Sequence, residues 1–92
     1  MNVRFYIDPV SGFPHIHNHA VSETEVEDVL EKPGEDRPGR KGSRIAVGQT
    51  EGGRFLRVIY VPDPKRDSAF VVTAYELTGK QLIAYRRRKR RK

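Results

Sequence analysis

The sequence predicts an α+β domain: a small antiparallel sheet, in the order β-α-β-β-β-α, with helices packed on one face. Two observations lead there. One capped, amphipathic stretch is followed by three β-rich runs in close succession, and strands that succeed one another after a helix favour an α+β sheet over a doubly wound parallel one. The 92 residues suffice for one modest core, so every functional group must sit on or near a single packed unit.

The elements follow in chain order. "NVRFYID", residues 2 to 8, mixes β-branched and aromatic residues with partial alternation and predicts a first strand, ended by Pro9, Gly12 and Pro14. In "VSETEVEDVLEKPG", Ser22 and Glu25 stand at capping-box spacing, Val26, Val29 and Leu30 share an apolar stripe, and Pro33-Gly34 stops the helix. "PGEDRPGRKGS", residues 33 to 43, has no apolar periodicity and predicts a mobile loop. "RIAVGQ" (44 to 49) and "RFLRVIYV" (54 to 61), separated by "TEGG", predict a hairpin. "PDPKRD" then turns the chain into "SAFVVTAYE", residues 68 to 76, a near-continuous β-rich run that suits a central strand. "TGKQLIAYRRRKRRK" predicts a short terminal helix, with Thr78 and Gln81 at capping-box spacing and Leu82, Ile83 and Tyr85 docking it. Its basic end frays into solvent. The compact domain is thus residues 1 to 85, followed by a basic tail, residues 86 to 92.

Composition bounds the function. Zero cysteines exclude a disulfide scaffold and thiolate metal sites. No apolar run approaches the roughly 18 to 20 residues that span a bilayer, and the opening segment lacks a secretory apolar stretch. The expectation is a cytoplasmic protein with no membrane partner and no small-molecule cofactor. Although the net charge is +6, residues 86 to 92 hold seven of the 18 Lys and Arg, and residues 1 to 85 carry 11 basic against 12 acidic groups. The excess positive charge belongs to the tail.

The chain's three histidines alternate in "HIHNH". If that segment is extended, His15, His17 and His19 point to one side, about 6.5 Å apart at alternate positions. Such a pair can chelate a metal, but zinc needs three or four ligands and no second His or Cys cluster supplies the rest, so no metal is expected. A loop with one packed histidine is a second reading. An acid-base site is the third, since imidazole titrates near neutral pH.

Three words taken in order, "NHAVSETEVEDVL", "IAVGQTEGGRFLRVIYV" and "VVTAYELTGKQLIAYRRR", resemble the RelE/ParE-like toxin superfamily, and within it the small BrnT-like ribonuclease toxins. They are similar to a His-Gly-Val-Ser segment leading into a Glu-rich helix, a Gly-Arg hairpin, and a last strand with an arginine-rich end. Ala20 stands where a glycine is usual; His15, His17, the long loop and the longer tail are further departures. The resemblance implies a RelE/BrnT-like fold, a toxin-like endoribonuclease that cuts RNA without a metal, and an antitoxin protein as a possible partner. It places His19 at the family's histidine and Arg54 at the Gly-Arg arginine. His17 is a second candidate histidine.

Cleavage of RNA through its own 2′-hydroxyl needs a base, an acid and positioned cations. Arg57 falls on the strand face opposite Leu56, Val58 and Tyr60 and presents a guanidinium on the open sheet. Tyr75, on the side of Thr73 and Val71, stacks on a base or donates a proton, or is a core tyrosine with its hydroxyl at the rim. Contacts to the RNA backbone are expected from Arg40, Lys41 and Arg44 in and beside the loop, and from Arg86, Arg87 and Arg88 in the tail. The alternative function is a non-catalytic nucleic-acid- or protein-binding domain of the same fold, in which these charges are simply solvated.

Overall fold

The computed structural model describes residues 2–90. Five strands form one sheet, ordered β1 (Asn2–Phe5), β5 (Ser68–Glu76), β4 (Phe55–Asp63), β3 (Arg44–Gln49) and β2 (Glu35–Pro38). The fold is α+β as expected, but the sheet is mixed rather than antiparallel: β1 runs parallel to β5, from Asn2 opposite Ser68 to Phe5 opposite Val71. A helix and three strands separate β1 from β5, so no tight turn forces the two into opposite directions. The β3–β4 hairpin is closed at Thr50, whose N–H donates to the Arg54 carbonyl at 2.8 Å and whose hydroxyl accepts from the Arg54 N–H at 3.1 Å. Gly53, at φ +96°, supplies the left-handed turn residue.

The segment 33 to 43 is not a loop throughout. Residues 35 to 38 pair antiparallel with β3, from Glu35 opposite Val47 to Pro38 opposite Arg44. This strand escapes hydrophobic patterning because it is an edge, where charged residues and a proline without N–H are tolerated. Its anchor is Asp36, which accepts from the Tyr60 hydroxyl at 2.6 Å and from Arg44 Nε at 2.7 Å.

Helix α1 (Glu23–Glu31) begins with the full capping box: Ser22 Oγ accepts from the Glu25 N–H, and Glu25 accepts from the Ser22 N–H. Its Val26 and Val29 pack with Leu56, Val58, Val71 and Ala74 on one sheet face. Helix α2 (Gly79–Arg90) covers part of the other face, where Tyr85 and Leu82 meet Ile45, Val47, Phe55 and Leu77. The helices therefore lie on opposite faces, correcting the one-face expectation. In β3, Ile45 and Val47 alternate with Ala46 and Gly48, so both faces are apolar and both need cover. α2 also continues through the basic run, where Arg88 forms two hydrogen bonds to Glu35 and Lys89 donates to the Gly34 carbonyl at 3.3 Å. Residues 91 and 92 of the expected tail lie outside the described residues. No helix among the described residues is long and apolar enough to cross a membrane.

A bulge reshapes the central pair. Ile59 faces Thr73 but Tyr60 faces Val71, leaving Val72 as the extra residue of β5. Val71 is thereby turned into the α1-side core, whereas Thr73 and Tyr75 face the other way, so Tyr75 does not share a side with Val71 as simple alternation predicts.

Tyr60 tests how the edge strand is held. Tyr60→Phe should lower stability by about 1–2 kcal/mol in urea titration by removing the hydroxyl bond to Asp36. Burial, and then the Asp36 carboxylate, push the Tyr60 hydroxyl up to about 12 from its ordinary 10.0. Its contribution is complete below about pH 10 and is lost as pH rises toward 12, so the gap between wild type and variant should narrow across that interval.

Candidate functional site

The histidine segment is neither extended nor irregular. His15–His19 forms a 3-10 helix that packs beside β5, with Ile16 only 1% exposed in the core. Curling the segment separates its histidines. His17 turns outward and meets Glu23 at 2.7 Å, while the rings of His15 and His19 come together edge-on with centroids 5.3 Å apart. His19 in turn lies 6.0 Å from the ring of Tyr75. No group of three or more His, Cys, Asp or Glu side chains among the described residues is placed to hold a metal ion.

Asp8 organises this edge, and sequence reasoning did not single it out for that role. Its Oδ1 accepts from the Val10 N–H at 2.8 Å, closing the turn after β1, while Oδ2 accepts from Asn18 Nδ2 at 2.8 Å and faces His15 Nδ1 at 3.2 Å. The Val10 amide first, then Asn18 and His15, hold the carboxyl down at about 2. An ionised carboxylate only accepts hydrogen bonds, so the contact with Asp8 is a hydrogen bond when His15 carries a proton on Nδ1, the nitrogen that also lies 3.3 Å from Asn18 Nδ2. The one signal available was the Asp8-Pro9 turn, a side chain poised to bond backbone two residues on.

The 3-10 helix ends at Ala20, which is left-handed at φ 58°, ψ 38°. That backbone favours glycine, so the alanine is held there against its own preference. Arg54 fastens the same point. One of its terminal nitrogens donates to the Ala20 carbonyl at 2.9 Å and to both oxygens of Glu25 at 2.9 and 3.0 Å, and the other reaches Glu76 at 3.3 Å. The Glu25 carboxyl sits below its ordinary range, held first by the Ser22 N–H and further by Arg54. Arg54 is therefore a clamp behind the histidines, with its guanidinium already engaged by protein acceptors.

Arg57 stands directly opposite Tyr75 across the β4–β5 pair, on the face away from Leu56, Val58 and Tyr60. Its Nε is buried and has no hydrogen-bond partner among the described residues. Of the cations expected at RNA, Arg40 and Lys41 project from the turn before β3, Arg44 is paired with Asp36, and Arg88 with Glu35. Arg87 is exposed, and Arg86 lies over the Phe55 ring, 5.4 Å from its centroid. The structure thus brings together His15, His19 and Tyr75, places Arg57 one strand further, and leaves His17 and Arg54 each engaged by other carboxylates.

The architecture defines a small α+β domain with a histidine edge and a half-open sheet face. The chain belongs to the family described as a domain of unknown function (DUF4258), whose model matches residues 15–76, from the first histidine to the end of β5. No curated protein and no solved structure matches the chain.

Arg54→Ala should destabilise the domain by about 2–3 kcal/mol, because its charge-assisted bonds to Ala20, Glu25 and Glu76 are lost and Glu25 keeps only its bonds to Ser22. Arg54→Lys should restore less than half of this in chemical denaturation, since an ammonium cannot reproduce the fork. Acid titration checks Asp8. Its stabilisation is present above the ordinary value of 3.8 and lost as pH falls toward 2, so Asp8→Asn should show a flatter stability profile between about pH 4 and 2.

Proposed function

We propose that this domain is a toxin-like endoribonuclease that cleaves RNA without a metal, using the histidine edge as its active site. The observation that carries the reading is the series Asp8, His15, His19, Tyr75: a carboxylate fixes one imidazole, and a second imidazole and a phenol lie within 6.0 Å along the row. The words that resemble BrnT-like toxins support it independently.

In this mechanism the Nε2 of His15 takes the proton of a 2′-hydroxyl as its oxygen bonds to the adjacent phosphorus. His19 in its protonated form gives a proton to the departing 5′-oxygen as the phosphorus–oxygen bond breaks, leaving a 2′,3′-cyclic phosphate. Tyr75 positions His19 and offers a face for a base. An antitoxin-type partner would act by covering this edge. The acidic outer face of α1, with Glu27 and Glu31, suits a basic segment of such a partner and repels RNA.

One observation favours the alternative of a non-catalytic nucleic-acid- or protein-binding domain. Arg54, the arginine that the toxin resemblance would place in the site, is closed off by Ala20, Glu25 and Glu76. That reading expects salt-dependent RNA binding without strand breaks.

The deciding experiment incubates purified wild type, His15→Ala, His19→Ala and Tyr75→Phe with labelled RNA, alone and with ribosomes, in the presence of a chelator. Each histidine variant should cut about 100-fold more slowly or worse, the usual size of a lost acid or base. Intact RNA with wild type under every condition would sink the nuclease reading and leave the binding domain.

A further inference from the structure

On the sheet face that α2 partly covers, a cleft of about 130 Å³ opens between the helix and the strands. Its rim carries three arginines, Arg37 from β2, Arg57 from β4 and Arg88 from α2, together with Gln81; Val47 and Leu77 line it on the apolar side. One carboxylate faces them. Glu35 bonds to Arg88 and reaches Arg37 at 3.4 Å, so the cleft keeps an excess of positive charge. The buried Arg57 Nε, without a partner among the described residues, is the anomaly, because a buried donor left unbonded is costly.

The geometry points to this cleft as a phosphate-binding subsite, one that takes a phosphodiester group of a single RNA strand flanking the bond to be cut. Its volume equals about four waters at roughly 30 Å³ each, enough for a phosphate group, and its arginine-rich rim suits an anion better than a neutral base. Guanidinium forks match phosphate oxygens in pairs, and the Gln81 amide adds a neutral donor. The position within the sheet sets which phosphate enters. Arg37 and Val47 place the cleft on the β3 side of β4, whereas the histidines lie beyond β5, so at about 4.8 Å per strand the two are separated by roughly two strand widths or more. The scissile phosphate sits at the histidines and a neighbour occupies the cleft. The choice of RNA as the strand rests on the nuclease reading; the affinity for phosphate does not.

The test is a titration of the full chain with inorganic phosphate, followed by the NMR signal of the Arg57 Nε–H and by calorimetry. Phosphate should shift that signal saturably, and Arg57→Gln or Arg37→Gln should weaken binding at least tenfold. Arg87→Gln, on the exposed side of α2, should bind as wild type does. A DNA analogue of the RNA, which lacks the attacking hydroxyl, should show a log-affinity against log-salt slope reduced by about 0.7 in Arg57→Gln, the loss of one phosphate contact on a single strand. An unmoved Arg57 signal, or an Arg87→Gln variant weakened as much as Arg57→Gln, overturns the subsite and leaves diffuse charge attraction. Because the phosphate titration uses no cleavable RNA, a protein that binds phosphate here yet cuts nothing refutes the nuclease reading alone. A protein that cuts RNA with a silent cleft refutes only the subsite.

Discussion

The histidine edge depends on the guanidinium of Arg54. It joins the Ala20 carbonyl, one residue past His19, to Glu25 in the first turn of α1 and to Glu76 at the end of β5. Residues 20 to 25 are distant in sequence from Arg54 and Glu76, and although each segment has its own local stabilisation, none of those local terms fixes the 3-10 helix against β5. A capping box orders the start of α1 and a left-handed alanine ends the 3-10 helix; the arginine converts these local endings into a tertiary junction. Its fork geometry suits that task, since a single planar group presents donors to three segments in fixed directions.

The two sheet faces are used differently. The α1 face is closed: Ile16, Val21, Val26, Val29, Leu56 and Val58 are all at or below 1% exposure, and the Tyr60 hydroxyl at its border is bonded to Asp36. The opposite face is only half covered, because α2 buries little besides Tyr85. The uncovered half carries Tyr75 and Thr73, and Arg57 lies at the margin between the two halves. The bulge at Val72 sustains this division, since it turns Val71 inward without dragging Tyr75 with it. Without that extra residue, one of the two would be on the wrong face.

Much of the fold was legible because local signals and tertiary structure agree. Ser22 with Glu25, the "TEGG" turn, and the β-rich run at 68 to 76 each specify their element without help from distant residues. What escaped was tertiary in origin. β2 has no apolar pattern, since its stability comes from edge pairing and from Asp36 bonding to Tyr60 and Arg44. β1 pairs with a strand more than sixty residues away, and no turn motif announces a parallel ladder. In the site, the histidines and Tyr75 were visible by residue type, but their grouping was not. Period-two spacing suggested three imidazoles on one side, whereas the segment curls into a 3-10 helix with Ile16 in the core. Asp8 became a site residue only once the turn at Val10 folded it back onto His15.

The charge distribution acquires a different meaning once partners are counted. Residues 86 to 92 hold the sequence's excess of positive charge, yet Arg88 and Lys89 are tied to Glu35 and Gly34, so part of the run fastens α2 to the edge strand. Exposed pairs of this kind contribute little to stability, about 0–1 kcal/mol each, but they partly withdraw those cations, so that a ligand in the cleft would share Arg88 with Glu35. Arg44 and Arg54 are withdrawn in the same way. What remains is of two kinds. Arg87 and its solvated neighbours on α2 create a field that attracts polyanions over a distance and fades with salt. Arg57, partly buried and with its Nε unbonded, acts only at contact, where the lower dielectric strengthens its pull on an anion. On the proposed RNA reading, the first kind would govern capture and the second register, and the fork of Arg57 would matter there more than its charge alone.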